Sequence, residues 1–131
     1  DLHTSWVGAP AVTQAPATRA YLDHLRGLAV DGDPAVLTAA LLPCYWLYAD
    51  LGARLRDGGF GAQAQDPAHR YAEWLRTYDD PIFAEATERA IALVTRTAAA
   101  ADPDTRANMR AAFARSARHE RAFFAAAELG G

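Results

Sequence analysis

Four Asp-Pro pairs constrain the fold of this chain more than any other feature of its sequence. They lie at residues 33–34, 66–67, 80–81 and 102–103. An aspartate side chain accepts the free N–H groups at a helix start, and proline suits the first helical position because it has no N–H to bond. The segments after these pairs are rich in alanine and poor in Val and Ile. Each pair therefore predicts the first turn of a helix.

These starts predict five helices and no strand. The predicted helices cover about residues 17–30, 34–57, 67–78, 81–101 and 103–128, with a loop over 60–65 and the end of a further helix over 1–9. The connections are short, which is typical of a bundle of antiparallel helices. We expect an all-α chain of 131 residues that forms one domain or part of a larger one.

Charge and composition argue against several classes of partner. The net charge is -3 with mixed signs, so no basic surface for nucleic acid is expected. The most apolar uncharged run covers residues 34–49, which is short for a membrane span and contains a proline. A single cysteine cannot form an internal disulfide, and a reducing, cytoplasmic location is expected.

That cysteine, Cys44, directly follows Pro43 in the most apolar segment. Residues at three- and four-residue steps share one face of a helix, and here they are Leu37, Leu41, Cys44, Tyr48, Leu51 and Leu55. We expect this face to point inward, with Cys44 and Tyr48 lining a buried pocket. Proline removes a helical hydrogen bond, and the break it makes opens space beside the thiol. Cys44 is then either a small buried hydrophobe or a nucleophile, and spacing alone leaves both open.

Glu120 is the second candidate for chemistry. It belongs to a stripe on the last predicted helix that consists of Met109, Phe113, Ser116, Glu120, Phe123 and Ala127. A carboxylate in the middle of this face should be buried, which is costly unless the group is paired or functional. Glu120 is then either a proton donor and acceptor in an active site, or a structural residue. In the structural case the helix is rotated so that Glu120 lies at the edge of the buried face, or its carboxylate makes a structural hydrogen bond.

Aromatic side chains with polar groups are numerous for so short a chain. They are Tyr21, Tyr45, Tyr48, Tyr71, Tyr78, Trp46 and Trp74. Such residues usually pack with their hydroxyl or N–H group hydrogen-bonded, and they also form cages around flat rings. A metal site is not expected, because no Glu-x-x-His pair occurs and only one cysteine is present. His3, His24 and His69 are expected at the surface.

Four segments carry a family resemblance. Residues 17–21 read Ala-Thr-Arg-Ala-Tyr, 41–50 read Leu-Leu-Pro-Cys-Tyr-Trp-Leu-Tyr-Ala-Asp, 71–74 carry Tyr-x-x-Trp, and 119–124 read His-Glu-Arg-Ala-Phe-Phe. In this order they resemble the cysteine-containing branch of the TenA/thiaminase II family. The resemblance implies a haem-oxygenase-like all-helical bundle.

The resemblance also implies a function in thiamin salvage. Such enzymes convert 4-amino-5-aminomethyl-2-methylpyrimidine to the 5-hydroxymethyl pyrimidine with release of ammonia, and some also hydrolyse thiamin. By the resemblance, Cys44 adds to the pyrimidine ring and Glu120 protonates the leaving amine. The residues that hold or flank the ring are Tyr21, Tyr48, Tyr71 and Phe123. No cofactor or metal is implied, and the assembly implied is a homotetramer.

One family segment has no counterpart in this sequence. Family members begin with further helices that carry an aspartate for the amidine edge of the pyrimidine, and only Asp1 precedes Tyr21 among the acidic residues here. The chain resembles the C-terminal portion of such a domain, so we expect residues 1–131 to form a partial one. The alternative function is that of a degenerate, non-catalytic protein that binds a pyrimidine or has a regulatory role.

Overall fold

The computed structural model describes residues 15–129, which form six α-helices and no strand. The helices are α1 Pro16–Asp31, α2 Pro34–Arg56, α3 Ala62–Gln65, α4 Ala72–Asp79, α5 Pro81–Ala100 and α6 Pro103–Leu129. The predicted all-α class is confirmed. The helix end predicted over residues 1–9 lies outside the described residues.

Three of the Asp-Pro pairs begin helices as predicted. Asp33 accepts the Ala35 N–H at 3.0 Å and Asp80 accepts the Ile82 N–H at 2.9 Å, while the next residue is proline in each case. Asp102 accepts the Thr105 N–H at 2.7 Å in the same manner. The predicted starts are confirmed because capping involves only atoms a few residues apart.

The pair at residues 66–67 does not begin a helix. Asp66 accepts the Ala68 N–H at 2.8 Å, but residues 66–71 form turns and α4 starts only at Ala72. The His69 ring accepts the Tyr71 N–H at 3.2 Å and so supplies a local alternative to a helical hydrogen bond. The predicted helix over 67–78 is therefore too long, and the predicted loop over 60–65 contains the short α3.

The central helix α2 contacts α1, α4, α5 and α6, so the bundle is built around it. Its core partners lie mainly on α6, and the buried core cluster comprises Val36, Ala39, Ala40, Met109 and Ala112. Further along, Gly52 lies against the backbone of Tyr78 in α4 so closely that an added Cβ would overlap the carbonyl oxygen. Small side chains on α2 thus permit close approach of its neighbours.

The inward face of α2 differs from the predicted one. Its buried residues are Val36, Ala39, Ala40, Leu42, Pro43, Gly52 and Leu55, whereas Leu41 and Cys44 are exposed. Of the six residues on the predicted face, Leu55 is buried and the other five are not. The small residues Ala39, Ala40 and Gly52 occupy much of the inward face instead. Pro43 is buried within a continuous helix, so the predicted break before Cys44 is wrong.

Helix α2 also has the length and hydropathy of a membrane span. The core helix of a globular protein meets the same criteria, and α2 packs against four other helices here.

Candidate active site

Glu120 lies on the inward face of α6 and is 3% exposed, so its predicted burial is confirmed. Its Oε1 accepts a hydrogen bond from the Tyr21 hydroxyl at 2.9 Å, and its Oε2 accepts one from the Tyr48 hydroxyl at 3.3 Å. A buried carboxylate is costly unless hydrogen-bonded, and two O–H donors stabilise its charge. The carboxylate therefore joins α1, α2 and α6 at one point.

Both phenols remain hydrogen-bond donors because their ionisation is suppressed. Burial is the main cause of the raised pKa of Tyr21, and the hydrogen bond to Glu120 raises it further. Burial and then the charge of Glu120 likewise raise the pKa of Tyr48. Each phenol keeps its proton at neutral pH, and each can hold the Glu120 carboxylate in place.

Cys44 is exposed, which corrects the expectation of a thiol in a buried pocket. Neighbouring protein atoms still withdraw it partly from water, and this desolvation, followed by the charge of Glu120, raises the pKa of the Cys44 thiol. An ionised Cys44 would in turn raise the pKa of Tyr21, Tyr48 and Tyr78. These groups therefore act on one another electrostatically, although Cys44 itself lies on an open face.

Tyr48 is the centre of an aromatic cluster contributed by three helices. Its ring stacks on Tyr78 at 4.8 Å between centroids and 24° between planes, and it meets Trp74 edge-on at 6.2 Å. Phe124 lies 6.1 Å from the same ring. Tyr78 and Trp74 come from α4; the sequence indicates them as members of the aromatic set but assigns neither an individual role in the site. Their signal in the sequence was the aromatic density of residues 71–78.

Two residues assigned by resemblance, Tyr71 and Phe123, have other contacts than Glu120. Tyr71 is 45% exposed, and its ring contacts are His69 at 6.1 Å and the guanidinium of Arg70 at 5.5 Å. Phe123 is 41% exposed and meets Phe124 edge-on at 5.7 Å. Within residues 15–129, no hydrogen bond or ring contact joins either residue to Glu120.

A second polar group lies behind Tyr21. The Tyr21 ring stacks on His119 at 5.5 Å and 12°, and the His119 ring lies 5.2 Å from that of His24. His24 Nε2 is hydrogen-bonded to Ser116 Oγ at 3.0 Å, and Ser116 is completely buried. His24 is thus partly buried rather than at the surface as predicted. His69 is exposed, as expected, and His3 lies outside the described residues.

An apolar cleft of about 280 Å³ lies on one side of Glu120, and Cys44 is not part of its lining. It is lined by Pro43, Trp46, Leu47, Asp50, Phe113, Ala117 and Glu120. Among residues 15–129, no group of three or more His, Cys, Asp and Glu side chains is arranged to hold a metal ion.

The chain is similar to proteins of thiamin metabolism. A family model described as the TENA/THI-4/PQQC family matches residues 10–129. The chain is 39% identical over 118 residues to the thiamine biosynthesis multifunctional protein ThiED of Corynebacterium efficiens. The aligned region is 90% of this chain and 15% of that protein. It is 31% identical over 115 residues to the aminopyrimidine aminohydrolase of Bacillus subtilis, and the aligned region is 87% of this chain and 46% of that enzyme.

A further aminopyrimidine aminohydrolase, from Halalkalibacterium halodurans, is 28% identical over 114 residues, or 87% of this chain and 49% of that enzyme. The chain thus spans less than half the length of each of these curated relatives. No solved structure matches the chain.

Proposed function

The chain belongs to the TENA/THI-4/PQQC family, and on that premise we propose that it supplies part of the active site of a thiamin-salvage hydrolase. The proposed reaction replaces the amine of 4-amino-5-aminomethyl-2-methylpyrimidine by hydroxyl, consuming water and releasing ammonia. The observation that carries the proposal is the buried Glu120 carboxylate, held by the hydroxyls of Tyr21 and Tyr48. Such a group is suited to giving and taking a proton without moving.

In the proposed first step, the Cys44 sulfur adds to a carbon of the pyrimidine ring. The raised pKa of the Cys44 thiol means that it keeps its proton at neutral pH, so a base must accept that proton during the attack. Glu120 is our candidate for this base, since its charge acts directly on the thiol. The C–S bond forms, and an electron pair moves into the ring.

In the second step, that electron pair expels the amine from the exocyclic methylene. The C–N bond breaks, and Glu120 passes its proton to the leaving nitrogen, which departs as ammonia. Water then bonds to the methylene carbon and loses a proton. The C–S bond breaks with its electron pair on sulfur, and the thiolate takes up the proton that the water lost.

The aromatic cluster supports binding of a flat heterocycle. Tyr48 and Tyr78 are already stacked beside Glu120, and the Trp74 ring closes one side of them. We assign substrate contacts first to Tyr48 and Tyr78. Tyr71 and Phe123 keep their proposed roles at the outer edge of the site, and Tyr21 acts through its bond to Glu120.

The proposal extends to cleavage of thiamin itself, to a cytoplasmic location and to a homotetrameric assembly. The relatives' names place them in thiamine biosynthesis and aminopyrimidine hydrolysis. No metal, organic cofactor, nucleic acid or membrane is part of the proposed reaction.

The test is ammonia release from the aminomethyl pyrimidine by the native polypeptide that contains this chain. We expect no turnover by Cys44→Ala, and a decrease in kcat of about 10²- to 10⁴-fold in Glu120→Gln, because general acid–base catalysis has that magnitude. Matched controls are Leu41→Ala, an exposed residue one turn before Cys44, and Glu88→Gln, an exposed carboxylate on α5.

Full activity of Cys44→Ala would refute the nucleophile assignment. A second candidate function is binding of the pyrimidine without turnover, which the raised pKa of the Cys44 thiol favours. Pyrimidine binding by calorimetry, with no ammonia released by the unaltered protein, would support this candidate over the hydrolase.

A further inference from the structure

Three aromatic rings form a column behind the Glu120 carboxylate. Tyr21 stacks on His119 nearly in parallel, with 5.5 Å between centroids and 12° between planes. His119 lies 5.2 Å from His24 at 33°, and His24 Nε2 is hydrogen-bonded to Ser116 Oγ at 3.0 Å. Because Ser116 is completely buried, the column is anchored in the core at one end. At its other end, the Tyr21 hydroxyl donates a hydrogen bond to the Glu120 carboxylate.

Helix α1 contributes few side chains to the core. It contains no buried residue, and only Leu25 and Leu28 pack against the core cluster. A tyrosine ring fixed only by its terminal hydroxyl would retain torsional freedom about its side-chain bonds. The parallel stack on His119 limits that freedom and so restricts where the hydroxyl oxygen can lie.

His119 makes its contacts through its ring rather than through its buried nitrogen. Its Nε2 is shielded from solvent and has no hydrogen-bond partner within the described part of the chain. Its ring contacts Tyr21 on one side and His24 on the other. His119 also directly precedes Glu120 on α6, so the same backbone segment carries the carboxylate and the ring that stacks on its hydrogen-bond donor, Tyr21.

We propose that His119 is a positioning residue, which holds the Tyr21 hydroxyl on Glu120 Oε1 by ring stacking. This inference rests on the proposed role of Glu120 in proton transfer. A carboxylate with one donor missing would be less well oriented during the proton transfer, whereas the aromatic cluster around Tyr48 would keep its contacts. The expected effect is therefore on kcat and not on KM.

The surroundings of His24, at the buried end of the column, favour its neutral form. Burial lowers the pKa of His24, and the adjacent His119 and Arg115 lower it further, while a backbone hydrogen bond to Ala112 acts in the opposite direction. A neutral His24 introduces no positive charge beneath the stack.

The experiment combines kinetics with a structural signal that needs no turnover. The native polypeptide is labelled with tyrosine carrying ¹³C at Cζ, and the Tyr21 resonance is assigned by its loss in Tyr21→Phe. We expect His119→Ala to move this resonance toward that of an exposed tyrosine. We also expect its kcat to decrease by about tenfold or more with KM nearly unchanged, since small displacements of catalytic groups have effects of up to about a hundredfold.

His119→Phe keeps an aromatic ring at this position and is expected to restore both the Tyr21 resonance and most of kcat. His119→Ala added to Tyr21→Phe is expected to lower kcat no further, because the hydroxyl that His119 positions is already absent. Arg118→Ala is the matched control, since Arg118 is the exposed neighbour of His119 on α6.

Two results would overturn the proposal: an unchanged Tyr21 resonance in His119→Ala, or a His119→Phe variant as impaired as His119→Ala. If the unaltered protein releases no ammonia while His119→Ala still moves the Tyr21 resonance, the positioning of Tyr21 is supported and the proposed reaction alone is refuted.

Discussion

Glu120 shows how one side chain can link the stability of the bundle to its proposed chemistry. Its carboxylate accepts from tyrosines on two other helices, and its neighbour His119 stacks on one of them. A buried charge with partners from separate helices is destabilising when any partner is lost, because desolvation is no longer compensated. The residues that orient the carboxylate therefore also hold α1 and α2 against α6.

His24 is expected to make stability depend on pH. Its pKa is lowered from the ordinary value of 6.5 by burial, His119 and Arg115. As pH falls through 6.5, the unfolded chain therefore binds a proton at this site before the folded chain does, and the free energy of unfolding decreases. In urea titrations between pH 7.5 and 5.5, His24→Gln should show a shallower decrease than the unaltered chain.

Arg26→Gln, an exposed substitution on the same helix, serves as the control for this comparison. If the free energy of unfolding depends on pH equally in His24→Gln and in the unaltered chain, His24 does not contribute to that dependence.

At the scale of elements, the contact between α2 and α4 depends on the absence of a side chain at Gly52. It brings Tyr78 of α4 to Tyr48 of α2, so that a structural contact determines the arrangement of the aromatic cluster. A Cβ at this position would overlap main-chain atoms, which cannot move aside as the end of a flexible side chain can.

Gly52→Ala should therefore lower the free energy of unfolding by about 1–3 kcal/mol, as overpacking does in other cores. Gly27→Ala is the matched control on α1, where an added Cβ meets no atom within 4 Å. That change should raise stability by up to about 1 kcal/mol, because alanine favours a helix interior over glycine. Chemical denaturation measures both, and a neutral Gly52→Ala would contradict the close contact.

At the scale of the whole molecule, the bundle leaves large apolar side chains in contact with solvent. Trp46 is 49% exposed and Leu47 41%, and both line the cleft beside Glu120. Exposed apolar surface of this kind favours association. It agrees with the proposed oligomer, and it arises because Trp46 and Leu47 lie on the outward side of α2.

We expect the chain to self-associate in sedimentation velocity experiments, and the double variant Trp46→Glu with Leu47→Lys to sediment as a smaller species. Val30→Glu is the control, because Val30 is 86% exposed and is not part of the cleft lining. A monomer in all three cases would contradict the association.

Much of the secondary structure was predictable because its causes are local. Asp33, Asp80 and Asp102 bond to N–H groups two or three residues away, and Gly32 ends α1 with a positive φ of 77°. The burial of Glu120 was also predictable, since its periodic neighbours on α6 include the buried Met109 and Ser116. The family resemblance added candidate roles that periodicity leaves open.

What the tertiary structure alone decided involves residues far apart in the chain. The bond from Tyr21 to Glu120 spans 99 positions and that from His24 to Ser116 spans 92, so neither leaves a local pattern. The side of α2 that faces the other helices is the one where small residues such as Gly52 allow close approach. Cys44 lies on another side and is therefore exposed. The sequence by itself determined where helices begin and that Glu120 is inside, because capping and periodicity act over a few residues. Only the packing of α1, α4 and α6 around α2 decided which side chains meet the carboxylate.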